Sequence, residues 1–457
     1  MTATIDDVCI ESTDAEPVVD DRRATRRLRV AVVVAALLTM FVASFGVGAR
    51  STYGALTSSD EPQYLLTALS LAEDFDLDIS DEIERRAFEP FHEISLNTQT
   101  FPLNESGQRL SPHDPLLPLV AAPAMRIGGW LGVRILLVTI GGLTAALATW
   151  TAVRRFGVRP SSALVGVGSM MIGAPIAAYS TQVFPEILAA LLVTVIAAAG
   201  TGPELQRRHA GWVVTATVAL PWTSIKYAGT AAVAVLVLGL MWWRRGERRM
   251  VVLSTIALAV SGVVYLAVHQ RIYGGWTVYS TGDHFIDDGE FAVVGTNPDY
   301  WGRSRRIIGL LADRRYGLVP WAPVWIFAPA ALAWLAARRH RLAMFAIATI
   351  AAGWATATFV ALTMHGWWSP GRQIVVVAPL IALALSVLVD EVPRLRWPVG
   401  VLGLAGASTW VWLAIEASTD RRVLIVDFYE TAAPVYRLLS PVFAQGWPRT
   451  GAAGQVL

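Results

Sequence analysis

A carboxylate and a cation held together at a membrane surface can bind a phosphate and take a proton from a hydroxyl, and seven residues of this chain have the types for that work. Asp60 and Glu61 lie in Ser58-Ser59-Asp60-Glu61-Pro62. Serine or aspartate ahead of a proline is a helix-start signal, so both carboxylates stand where the helix dipole favours negative charge. Asp60 is expected to be ionised, able to serve as general base for an acceptor hydroxyl or as a metal ligand. The plainer alternative is that it caps the helix. His113, in Ser111-Pro112-His113-Asp114-Pro115, marks a second helix start before a short apolar stretch. Glu186, in Phe184-Pro185-Glu186-Ile187, opens an apolar run with nothing basic near it in sequence. A carboxylate at the edge of hydrocarbon is costly without a partner or a task, here an acceptor or a metal. Lys226, in a chain almost devoid of lysine, lies in the turn Trp222-Thr223-Ser224-Ile225-Lys226-Tyr227. Its ammonium suits a phosphate, although snorkelling to the interface is the alternative. Arg314 in Ala312-Asp313-Arg314-Arg315-Tyr316-Gly317-Leu318 and Arg372 after Trp367-Trp368-Ser369-Pro370-Gly371 complete the set.

These residues must be positioned by helices that cross a membrane. The chain of 457 residues is 54% hydrophobic and only 16% charged, with a mean hydropathy of +0.49, which excludes a soluble enzyme. Apolar runs recur near 29–49, 131–152, 161–179, 184–200, 210–222, 227–243, 250–269, 319–337, 342–363, 371–390 and 397–414. Most are long enough to cross a hydrocarbon core of about 30 Å, so the expected fold is an all-α polytopic membrane protein with about eleven transmembrane helices. The strip Tyr64, Leu65, Ala68, Leu69, Leu71, Ala72 predicts an amphipathic surface helix in the first long loop, and Leu116, Leu117, Leu119, Val120 a second.

Arginine collects in every second loop: Arg22 to Arg29, Arg154 to Arg159, Arg207 and Arg208, Arg244 to Arg249, Arg338 to Arg341, Arg394 and Arg396. Basic residues in short loops stay in the cytoplasm. The N-terminus is therefore expected inside and the C-terminus outside, with residues 1–28 a disordered tail, 29–415 the membrane module and 416–457 a short outside tail. The long loops 50–130 and 270–318 and the turn near 364–372 then share the outer face with all seven candidates. Arg303, Arg305 and Arg306 in the second of these loops run against the charge bias, which points to pairing or phosphate binding. The acidic run Asp74-Phe75-Asp76-Leu77-Asp78 lacks the later glycine and glutamate of a calcium loop, since Ile79 and Arg85 stand there. One cysteine, Cys9, precludes an intramolecular disulfide, and nothing in the charge distribution calls for nucleic acid.

This constellation resembles the GT-C superfamily of membrane glycosyltransferases, which includes protein O-mannosyltransferases and the lipid A aminoarabinose transferase. The resemblance rests on an Asp-Glu pair after the first span (Asp60, Glu61), surface helices with a proline-rich entry (Ser111 to Pro118), an acidic residue of the second outside loop (Glu186), and basic residues at the outer ends of middle spans (Lys226, Arg372). It covers the chain from the first span to about residue 415, and the expected outside tail 416–457 is short beside the soluble outer domain that many larger members carry after the spans. It implies an inverting enzyme of the bacterial plasma membrane that moves a sugar from a polyprenyl-phosphate donor to a glycan, lipid or protein acceptor. Asp60 would be general base or acceptor-orienting group, and Glu61 would bind the acceptor or hold the loop. Lys226, Arg372, Arg314 and His113 would bind donor phosphate or sugar. The resemblance implies no particular cofactor and leaves a divalent metal open, with Glu186 as acceptor-binding group or metal ligand. The rival readings are a transporter or flippase of a lipid-linked substrate and a scaffold of an envelope-building complex.

Overall fold

The computed structural model describes residues 17–101, 107–278, 300–338, 342–360, 364 and 369–445. It is helical throughout, and all eleven apolar runs contain helix. Among the described residues seven helices are long and apolar enough to cross a membrane, and Glu186–Gly200 and Pro323–Ala337 are shorter apolar helices. The protein is thus a multi-pass membrane protein.

Helix α1, Pro17–Ser44, enters the bundle, so helix begins earlier than the expected tail boundary at 28. Helix α2, Glu61–Glu73, packs on α4, and α3, Ser80–Glu84, turns the chain back. Helix α4, Leu116–Arg154, joins the expected surface helix and the second span into one element. The two parts meet at a kink where Gly129 adopts φ 58°, a conformation that a side chain disfavours. Helix α5, Pro160–Met171, is followed by the single turn α6, Ile176–Tyr179. Helices α7, Glu186–Gly200, α8, Arg207–Thr223, α9, Ala228–Arg244, and α10, Arg248–Tyr273, follow.

The centre of the bundle is the helix Ala378–Glu391, whose residues from Ala378 to Val389 are all buried. Close approach there depends on small residues: a Cβ on Gly166 would lie 2.6 Å from Ser386 Cα, and one on Gly403 2.7 Å from Ser169 Cα. Between helices in lipid, where both environments are apolar, such close packing supplies the attraction. Helix α10 is the opposite case, with only 6% of its most apolar window buried, so its sides are left for lipid.

The arginine-rich turns gather at one end of the bundle. Arg155 donates to Ala198 O (2.8 Å), Arg245 to Gly202 O (2.7 Å) and Arg159 to Asp390 (2.7 Å). At the other end the C-terminal segment packs as a cap. Leu424 N donates to Arg50 O and Ile425 N to Ser51 O, while Tyr436 stacks on Trp321 with ring centres 4.0 Å apart.

Candidate functional site

Helix α2 starts at the residues singled out first, and the two carboxylates part company there. Asp60 makes no side-chain cap to its helix. Its Oδ2 accepts from Arg372 Nη2 at 3.0 Å and its Oδ1 from Ser59 Oγ at 3.0 Å, with the side chain 16% exposed. Burial pushes its carboxyl up, but the charge and hydrogen bond of Arg372 outweigh this and hold it below the usual carboxylate range.

Arg372 joins two segments that are distant in sequence. Its Nε donates to Glu186 Oε1 at 2.8 Å, and Lys226 Nζ donates to the same oxygen at 2.7 Å. The guanidinium lies 4.0 Å from the centre of the Phe184 ring, which suits its weakly hydrated face. Gly371 sets the arginine's position: it has φ 78°, and a Cβ there would stand 2.4 Å from Leu318 Cδ2 and 3.1 Å from Pro175. The chain of contacts Asp60, Arg372, Glu186, Lys226 thus draws on four stretches of sequence. The lone carboxylate Glu186, 0% exposed, finds its partners across the bundle, and its Oε2 has no hydrogen-bond partner among the described residues.

His113 is buried beside this chain, stacked on Tyr64 at 4.5 Å, with Nε2 3.2 Å from Gln99 Oε1. Burial lowers its pKa, the nearby Asp60 carboxylate only partly opposing this, so the ring is neutral at pH 7. Glu61 turns away. Fully buried, it accepts from Val183 N (2.7 Å), Ser58 N (2.9 Å) and Ser51 Oγ (2.9 Å). Burial pushes its carboxyl up more than the charge of Arg134 and these bonds pull it down. Arg134 in turn donates to the carbonyls of Val47 (2.8 Å), Ala49 (3.0 Å) and Leu56.

Arg314, expected as a further phosphate cation, is not brought to the cluster. Its side chain is exposed, its N donates to Ala444 O and its O accepts from Tyr436, so its backbone holds the C-terminal cap. Arg303 is buried and donates to Phe359 O at 2.8 Å. Residues 279–299 of the long loop 270–318 and residues 365–368 of the turn near 364–372 lie outside the described residues.

A divalent ion between Asp60 and Glu186 does not fit this donor set. Each carboxylate is already bonded to Arg372, and no third ligand converges on them among the described residues. The acidic set close enough to share an ion there is Glu73, Asp74 and Glu82, at the α2–α3 corner, where Arg85 pairs with Glu73 and Glu82.

Residues not anticipated as parts of one network are Asp114, Tyr265 and His269. Asp114 makes no cap to α4, which starts at Leu116. Its Oδ2 accepts from Ile225 N (2.9 Å), and its Oδ1 receives Tyr265 OH (2.8 Å) and lies 3.0 Å from His269 Nε2. The signal was present: a histidine and a tyrosine four residues apart on an apolar span are rarely idle.

No protein-family model matches this sequence, and no curated protein matches it. Among solved structures the chain is similar to ArnT from Cupriavidus metallidurans bound to undecaprenyl phosphate, at 16% identity and TM-score 0.55, over 90% of this chain and 76% of that one. The apo form of the same ArnT gives 16% identity and TM-score 0.54 over 92% of this chain and 75% of that one. The chain therefore shares the overall fold of that ArnT.

Proposed function

We propose that this protein is an inverting glycosyltransferase that moves a sugar from a polyprenyl-phosphate carrier to a hydroxyl of an envelope glycan, lipid or protein. The observation that carries the reading is the contact chain Asp60–Arg372–Glu186–Lys226, a base candidate and two cations assembled at the end of the bundle away from the arginine-rich turns. By the charge bias of membrane proteins those turns are cytoplasmic, which assigns the N-terminus to the inside and the cluster to the outer face of a bacterial plasma membrane. The likeness to an ArnT bound to undecaprenyl phosphate supports the donor class.

In this reading Lys226 and Arg372 bind the donor phosphate and stabilise the charge it gains as the glycosidic C–O bond breaks. The acceptor oxygen attacks the anomeric carbon from the opposite side, the phosphate leaves with the bonding electrons, and the acceptor proton passes to Asp60. The Asp60–Arg372 pair couples the two events. As a phosphate engages the guanidinium, the pull on Asp60 weakens, burial raises its carboxyl, and it becomes a stronger base when the donor is in place. His113, neutral, contacts phosphate or sugar, and Glu61 holds the loop.

The test is transfer by purified protein in nanodiscs supplied with radiolabelled polyprenyl-phosphate sugars and envelope extract. Label moving to a product with wild type and not with Asp60→Asn supports the reading. Transport of the lipid-linked sugar across the bilayer without transfer, or no transfer from a folded protein that still binds polyprenyl phosphate, replaces it with the flippase or scaffold reading.

A further inference from the structure

We propose that Asp114 is a positioning residue that sets where Lys226 stands, and that it does so through the backbone of the turn Ile225–Tyr227 and through Tyr265 and His269 of α10. The phosphate-binding role of Lys226 rests on the function proposed above; the positioning does not.

Asp114 is 2% exposed, and its two oxygens are divided between two elements. Oδ2 takes the amide of Ile225, the residue immediately before Lys226. Oδ1 lies at the hydroxyl of Tyr265 and the ring nitrogen of His269. Those two rings stack at 3.8 Å, and Trp222, just before the turn, lies 5.2 Å from Tyr265 and 5.1 Å from His269. The turn is therefore gripped from both sides.

Such a grip matters because α8 ends at Thr223 and Ser224 is extended, with φ −168° and ψ 132°. A break of this kind between two apolar helices leaves the amides of the next turn without helical partners, and Asp114 satisfies the first of them. The backbone of this turn fixes where the lysine side chain starts, and from there its ammonium meets Glu186 at 2.7 Å. Asp114 also follows His113 directly, and Tyr273 OH lies 3.4 Å from His113 O. One carboxylate thus registers the His113 segment, the Lys226 turn and α10 against each other.

The test uses a property of the sequence: Lys226 is its only lysine. An amine-acylating reagent applied to the full chain in nanodiscs therefore has two targets, Lys226 and the α-amino group, the second an internal reference, both read by mass spectrometry. Asp114→Asn keeps one carbonyl oxygen but places an NH2 group in the network. It is expected to raise the Lys226 labelling rate about tenfold over the reference. Tyr265→Phe, which removes one partner, and His269→Gln, which exchanges the stacked ring for a flexible amide, should move it in the same direction by less. Glu61→Gln, which loosens the neighbouring scaffold, should leave it within about twofold.

Unchanged Lys226 labelling in folded Asp114→Asn overturns the proposal. If that variant does not fold, unchanged labelling in Tyr265→Phe and His269→Gln does so. An equal rise in Glu61→Gln overturns it too, because Asp114 would then matter only as general packing. Protection of Lys226 by undecaprenyl phosphate separates the two readings. Half-protection should need about tenfold more lipid in Asp114→Asn, and in a Lys226→Met background Asp114→Asn should add no further loss of lipid binding. No protection of wild type removes the phosphate assignment and leaves the positioning result intact.

Discussion

Two neighbouring carboxylates at the start of α2 show how the same residue chemistry is turned to different ends. Around Asp60 the structure provides a guanidinium and a hydroxyl and leaves part of the side chain open; around Glu61 it provides two backbone amides, a hydroxyl and no exposure. The first carboxyl is held down by a side-chain charge that a ligand could draw away. The second is fixed by main-chain donors that no ligand can move. An ionised group whose strongest partner is another side chain can take part in chemistry, whereas one whose partners are backbone is scaffold.

The largest effect should separate these regions. Asp60→Asn is expected to lower transfer by about 10³-fold or more while the protein keeps its thermal stability in detergent. Glu61→Gln should show the reverse balance: its NH2 group faces the amides of Ser58 or Val183, leaving a buried donor unsatisfied, at about 1–3 kcal/mol of stability. A Glu61→Gln protein with normal melting temperature and absent transfer would break the comparison.

Arg372→Met sharpens it next. Transfer should fall by about 10²-fold, and the pH profile should change shape. In the wild type neither Asp60, lowered from 3.8, nor His113, lowered from 6.5, protonates above pH 6.5, so neither gives an acid limb there. The stability each contributes is present above its unfolded pKa and lost only as pH falls through its lower folded one. Removing the guanidinium takes away the largest force opposing burial at Asp60, whose pKa rises, so the residual activity of Arg372→Met should lose its acid side at a higher pH than wild type. Arg372→Lys should restore part of the shift. An unmoved profile would mean that Asp60 is not the group that titrates.

The sequence carried more of this site than its short motifs suggest. Asp60, Glu186, Lys226 and Arg372 were legible because charge at the end of an apolar run is costly, so each such residue needs a reason. The pairing between them was not legible, since it depends on how α7, α9 and Ala378–Glu391 pack. That Arg314 stands apart from the cluster was not legible for a related reason: its charge opposes the topological bias, but a turn held by its backbone N and O leaves an exposed side chain at no cost. The α4 kink was hidden because Gly128-Gly129 reads as a loop between two helices, whereas the chain stays helical on both sides. The Asp114 network escaped because helix-start chemistry explained its aspartate too readily.

The smallest effect comes from a third glutamate and returns to what surrounds a carboxyl. Glu82 is as buried as Glu61, yet its Oε2 has no hydrogen-bond partner among the described residues. Burial pushes its pKa from 4.5 up to about 8, with Asp81 adding to the rise and Arg85 opposing it. Between those two values the folded state carries a proton that the unfolded state has lost, so this group's contribution falls as pH rises through the window. Glutamine mimics the protonated form. Glu82→Gln should therefore raise the melting temperature at pH 8 and leave it nearly unchanged at pH 4.5, whereas Glu61→Gln should lower it at both. A loss for Glu82→Gln at pH 8 would mean that the Arg85 pair on its Oε1 holds the Glu82 carboxylate against burial, as Lys226 and Arg372 hold Glu186, and that the unpartnered Oε2 does not distinguish it from Glu61.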